Sequence, residues 1–223
     1  MKHWRYIVLA ALLIAGCAYV YLHRQELGVA GLFTPRTGAS DASGDPAPPA
    51  GRPARIDWLT VDRPQAGFRL EMPSDTKDLQ LPAYAENGGT QTINMIYSNP
   101  DSASTFSITW ADNPPVVETS NRSIDHVMDM ARDGALQRTQ TTLVSESRSA
   151  PGGNPARDFL ARNASGGVMD TRLIMAGKRL YMLSAAFPSM SARREPDVKR
   201  FFGSFQASEA PAIPATVPPA GQN

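Results

Sequence analysis

Hydrophobic and polar positions alternate most regularly from Val168 to Phe187, VMDTRLIMAGKRLYMLSAAF, with a Gly-Lys pair in the middle. Period-two alternation broken by two turn residues predicts a β-hairpin. Gly177 suits the first position of a type II′ turn, because without a Cβ it takes φ > 0 freely. Such a turn sets the register: Ala176 opposite Arg179, Met175 opposite Leu180, Ile174 opposite Tyr181 and Leu173 opposite Met182. Nearly every position is apolar on both faces, which places the hairpin in the middle of a sheet covered on both sides.

The same pattern extends to either side. Arg55 to Asp62 predicts an opening strand with Ile56, Trp58 and Leu59 inward. Phe68, Leu70 and Met72 share one face of a second strand that Pro73 stops, with Arg69 and Glu71 on the other. Residues 74 to 89 read as a polar connection. Thr90 to Ser98 and Thr105 to Ala111 form two more strands, joined by the turn cluster Asn99-Pro100-Asp101-Ser102.

Ser123 is placed to cap a helix in which Ile124, Val127, Met128, Ala131, Ala135 and Leu136 make an apolar stripe. Asp125, Asp129, Arg132 and Asp133 take its solvated side. Strands at Thr142 to Ser147 and Ala156 to Arg162 follow, with Pro151-Gly152-Gly153 turning between them. After the hairpin, a helix over Glu195 to Gly203 and the aromatic residues Phe201, Phe202 and Phe205 close the fold. Charges at Asp158, Arg162, Asp170 and Arg172 read as cross-strand pairs. The order, four strands, helix, four strands, helix with short connections, predicts an α+β fold: one mainly antiparallel sheet with helices packed on it.

Composition changes the picture at the two ends. The 223 residues include 19 prolines and 17 glycines, unevenly spread. Lys2 and Arg5 precede an apolar run of 17 residues, Tyr6 to Leu22, which His23 and Arg24 close. A basic start and an apolar core make an export signal. Ile14-Ala15-Gly16-Cys17 is similar to the lipobox of bacterial lipoproteins, in which Cys17 would be lipidated. The run also reaches the short limit of a membrane-spanning helix, about 17 residues, with Trp4, Tyr6, Tyr19 and Tyr21 at its two ends. An uncleaved anchor, a lipoprotein and a cleaved signal therefore stay open. The expected organisation is an address at 1–28, a Pro/Ala/Gly-rich tether at 29–54, a folded part at 55–207 and an Ala/Pro-rich tail at 208–223.

Charge and chemistry narrow the function classes. Residues 57 to 206 hold 16 basic and 17 acidic side chains, net −1. That balance leaves no basic stripe for nucleic acid. The single cysteine, Cys17, excludes an intramolecular disulfide. Of three histidines only His126 falls in the folded part, and no serine stands in a nucleophile-elbow context. His126, Asp129 and Asp133, three and four apart on the helix, are the weak candidates for a metal site; an ordinary hydrated helix face has the same composition. Met95, Met128, Met169, Met175 and Met182 offer thioethers to a soft metal such as Cu(I), or pliable core filling. Gly152-Gly153 and Gly166-Gly167 lack the strand, loop and lysine of a phosphate cradle. No catalytic residue and no cofactor is expected.

Gly67-Phe68-Arg69-Leu70-Glu71-Met72-Pro73, the central helix, Pro155-Ala156-Arg157-Asp158-Phe159, the stretch from Arg172 to Tyr181 and the closing Phe202-Gly203-Ser204-Phe205 together resemble the PsbP-like superfamily. That superfamily includes an extrinsic photosystem protein and the bacterial DcrB-like envelope lipoproteins. The resemblance covers about residues 55 to 207. It implies an α/β/α sandwich around an antiparallel sheet and binding roles without a shared catalytic site. No functional residue carries over, because the matching positions are core and turn positions.

The expected function is that of a non-catalytic protein tethered to the bacterial envelope membrane. Its domain would face the periplasm, bind another protein and support an envelope complex. The alternatives are a periplasmic carrier of a small apolar ligand or lipid, held between the sheet and the 123 to 137 helix, and a hydrolase or metal site at His126.

Overall fold

A computed structural model describes residues 56–84, 90–101, 103–111, 121–177 and 179–208. The address, the tether, Cys17 and most of the tail lie outside these residues. Five strands come first: β1 (Trp58–Arg63), β2 (Phe68–Pro73), β3 (Thr76–Tyr84), β4 (Thr90–Asp101) and β5 (Ser104–Ala111). Helix α1 (Asn121–Thr139) follows, then β6 (Thr141–Ser149), β7 (Ala156–Asn163), β8 (Val168–Ala176), β9 (Arg179–Phe187), helix α2 (Glu195–Gly203) and the two-residue β10 (Gln206–Ala207).

The strands form two antiparallel sheets, where the alternation pattern had predicted one. The larger has seven strands in the order β3-β4-β5-β9-β8-β7-β6, and the smaller runs β1-β2-β10. The β8–β9 hairpin lies in the middle of the large sheet with the predicted register, Ala176 opposite Arg179 through Leu173 opposite Met182. Gly177 has φ +57°, as the turn requires.

β3 is a strand inside the predicted polar connection. Its sequence TKDLQLPAY contains Pro82, which cannot donate to a ladder and so argues against a central strand. At the edge of the sheet that objection disappears.

The two faces of the large sheet bury different material. On one, the inward side of the small sheet (Val61, Phe68, Leu70, Met72) and α2 (Val198, Phe201, Phe202) meet Ile96, Phe106, Ile108, Trp110, Tyr181 and Leu183. Phe68 and Trp110 stack edge to face with centroids 5.0 Å apart, and Phe106 meets Phe201 at 5.5 Å. The Tyr181 hydroxyl donates to the Ala66 and Gly67 carbonyls at 2.7 and 3.1 Å, tying the sheets together. In β1 the buried residue is Val61, while Trp58 and Leu59 are half-buried. Trp58 instead packs on Phe106 and on the Arg200 guanidinium.

On the other face lies α1, where Met128, Ala131 and Ala135 pack on Phe159, Ala161, Leu173, Leu180 and Met182. The helix starts at Asn121, so Ser123 falls within its first turn and not ahead of it. Helix ends shift by a residue or two without changing the buried stripe. At the other end the connection to β6 is the single residue Gln140, at φ +51°. α2 spans the predicted residues, with Glu195 and Asp197 in the first turn and Arg200 in the last, which suits the helix dipole.

Candidate functional site

The most chemically loaded place is the seam between α1 and the strands β6 and β7. β7 presents Arg157, Phe159 and Ala161 towards α1, since residues two apart share a face. Arg157 is 1% exposed, the largest fully buried side chain among the described residues. A buried guanidinium needs anionic partners, and α1 supplies two carboxylates one turn apart. Nη1 of Arg157 donates to Asp129 Oδ1, and Nη2 donates to Asp125 Oδ1 at 3.2 Å. Nε lies 3.0 Å from Glu146 Oε1 on β6, out of line for a hydrogen bond.

A second arginine doubles the seam. Arg132 Nη1 donates to Glu146 Oε2 at 2.6 Å, and the same guanidinium pairs with Asp129 and, at 2.7 Å, with Asp133. Burial opposes the Arg132 charge, but the hydrogen bonds it donates to Asp133 and Glu146 outweigh that and leave its pKa above the ordinary value. Glu146 thus bridges two guanidiniums from opposite sides. Arg148, on the same face of β6, reaches Asp125 Oδ2 at 3.1 Å. The seam holds four carboxylates (Asp125, Asp129, Asp133, Glu146) and three guanidiniums (Arg132, Arg148, Arg157).

The candidate metal ligands are placed accordingly. Asp129 turns to Arg157 and Arg132, Asp133 turns to Arg132, and His126 sits on the exposed flank of α1. Among the described residues no three His, Cys, Asp or Glu side chains converge on a possible metal position. Met128, Met175 and Met182 fill the core beneath α1, and Met95 packs with Tyr97 and Leu79. A cavity of about 20 Å³ lies at the C-terminal end of α1, lined by residues including Thr139, Thr141, Asn163 and Met169. That is room for about one water.

The cross-strand reading of the strand charges holds for one pair. Asp158 is opposite Arg172, which donates to it at 2.5 and 2.9 Å and also caps the Phe202 carbonyl of α2 at 3.1 Å. Asp170 faces Leu160 and Ala185, and its partner is Arg193, beyond β9, with two hydrogen bonds of 2.8 Å. Arg193 is held above its ordinary pKa mainly by that pairing.

β6 differs from every other strand of its sheet. Thr142 to Ser149 are all exposed, and β7 is its one strand neighbour among the described residues. A bulge between Leu143 and Ser145 leaves Leu143 and Val144 standing 42% and 50% exposed. Sequence reasoning found neither the Arg157 seam nor the openness of β6. The signal for the seam was legible in principle: two aspartates at i and i+4 flank the buried stripe of α1, and an arginine sits at an inward parity in β7.

No protein family model and no curated protein sequence matches the chain. Among solved structures it is similar to the solution structure of cyanobacterial PsbP from Synechocystis, with a TM-score of 0.47 and 10% identity over 73% of this chain and 99% of that one. It is also similar to a Pseudomonas aeruginosa protein of unknown function described as a putative regulator, with a TM-score of 0.31 and 15% identity over 60% of this chain and 85% of that one. The first names the same group as the PsbP-like resemblance drawn from the sequence, and neither structure bears on its DcrB-like part. With TM-scores of 0.47 and 0.31, these likenesses carry no argument about fold or activity. Among the described residues no helix is long and apolar enough to cross a membrane.

Proposed function

We propose that the chain is a non-catalytic, membrane-tethered envelope protein whose PsbP-like sandwich binds another protein on the periplasmic side. Support comes first from the sequence: a basic start, an apolar run with Cys17, and a Pro/Ala/Gly-rich tether ahead of the fold. The observation that carries the reading is the state of the best chemical candidates. The α1 carboxylates hold guanidiniums that brace the helix to the sheet, so their charge is spent on architecture.

Crosslinking in intact cells tests the reading. A specific second protein should be recovered with the chain, and recovery of the chain alone under every condition would overturn it. Labelled palmitate incorporation, lost in Cys17→Ala, would identify the lipoprotein form of the tether; no incorporation into either form would identify the uncleaved anchor or the cleaved signal.

A further inference from the structure

The two edges of the large sheet are managed differently. An edge strand carries unpaired N–H and C=O groups that template pairing with another chain unless proline, charge or a bulge blocks them. β3 is blocked by Pro82, with Lys77 and Asp78 beside it and Asp78 held by Arg63 at 3.1 Å. β6 has no proline; its bulge lies near one end and its two charges, Glu146 and Arg148, are of opposite sign, which leaves Ser145 to Ser149 as regular extended chain that opposes its own copy less than it opposes other edges.

The side chains of that stretch are self-complementary in sign; Glu146 already bridges Arg132 and Arg157 and Arg148 already reaches Asp125 within the chain, so pairing to a mate extends that network. Glu146 and Arg148 point to the α1 side, opposite Phe159 and Arg157 of β7, while Ser145, Ser147 and Ser149 take the other face. Two copies paired antiparallel about a two-fold axis normal to the sheet keep each face on its own side. Opposed residues must then share a face, so the axis passes through a residue. An axis at Glu146 sets Glu146 against its own copy, and one at Arg148 sets Arg148 against its own copy. An axis at Ser147 sets Glu146 opposite Arg148 twice and Ser145 opposite Ser149 twice. It also brings Val144 and Leu143 towards Ala150 and Pro151 of the mate. Opposite charges across strands stabilise pairing and like charges oppose it.

We infer that β6 is the docking edge for a second copy of this chain, paired antiparallel about Ser147. The occupant is argued from charge alone: one strand carries both halves of the match. The paired stretch is short and the area small beside that of stable dimers, so the association is weak in dilute solution and is read best by trapping it. It stands independently of the partner-binding reading above.

Full-length chain in detergent micelles, with Cys17→Ser so that an added cysteine is the sole thiol, supplies the test. Ser147→Cys sits on the axis and should form a disulfide-linked dimer under mild oxidation. Ser145→Cys is four residues from its mate along the strand, about 13 Å, beyond disulfide reach. It should crosslink at least about tenfold more slowly, as should Lys77→Cys on β3. Adding Arg148→Glu to Ser147→Cys places glutamate against glutamate twice and should slow trapping about fivefold. Equal rates at 147 and 145, equal rates at 147 and 77, or no effect of Arg148→Glu would each overturn the inference. So would capture of a different protein at Ser147→Cys in place of a second copy.

Discussion

The two faces of the seven-stranded sheet solve the same problem with different chemistry. On the small-sheet side, β1, β2 and α2 enclose Phe68, Phe106, Trp110, Tyr181, Phe201 and Phe205, and large area is removed from water. On the α1 side the contact is made by Met128, Ala131 and Ala135, which bury less per residue, and a charged seam runs along the border. Aromatic packing holds its layers mainly by buried area, with the Tyr181 hydroxyl bonds to the Ala66 and Gly67 carbonyls fixing their position. Guanidinium–carboxylate forks fix position, because their geometry tolerates little displacement. The difference teaches that α1 is located by charge and the small sheet is held by area.

Mutations can break that comparison in order of size. Phe106→Ala removes a ring that touches Trp58, Phe187 and Phe201, and should cost about 3–5 kcal/mol in denaturant unfolding of the full chain. Stranding the buried cation should rank beside it. Asp129→Ala combined with Glu146→Ala leaves Arg157 with only Asp125, at an expected cost of about 3–5 kcal/mol.

Removing the cation itself should cost less. In Arg157→Leu the carboxylates left behind keep a guanidinium each, Arg132 for Asp129 and Glu146 and Arg148 for Asp125, and are 22% to 44% exposed, so the loss should be about 1–2 kcal/mol. If Arg157→Leu proves more damaging than the carboxylate double variant, the view of the seam as a positional device fails. A helix-specific readout, such as amide exchange in α1 rising ahead of β9, would sharpen it.

Arg148→Ala, which breaks a pair with side chains 68% and 42% exposed, should shift stability by no more than about 0.5 kcal/mol.

The mildest effect is on acid stability. Burial opposes the Asp101 charge, but hydrogen bonds from Ala103 and Ser104 and the Arg194 charge win and hold its pKa below the ordinary value. A depressed carboxylate stabilises the fold above its unfolded pKa and loses that contribution as pH falls. Unfolding midpoints should therefore decline as pH drops below about 4, and Asp101→Asn should flatten that decline.

What could be read from the chain depended on how local the cause was. The β8–β9 register followed from a turn and its two flanks, all within 20 residues. α2 is legible over Glu195 to Gly203 beside the aromatic residues that close the fold, again a local pattern. β3 was hidden by Pro82, whose cost depends on edge or centre, a property of the sheet and not of the strand. The second sheet was hidden for a related reason. Phe68, Leu70 and Met72 announce a buried face, but nothing local says that the face is buried by another sheet and not by a helix. The Arg157 seam joins α1, β6 and β7 across as many as 32 positions of chain, from Asp125 to Arg157. Phe159 and Ala161 put Arg157 at an inward parity, but nothing local to β7 says that α1 brings carboxylates to meet it.

Gln140 alone connects α1 to β6, in a backbone conformation that residues other than glycine seldom adopt. With so little slack, any force that draws the end of the helix away from the sheet reaches the outermost strand within a residue. The helix and the open rim of the protein are mechanically one lever.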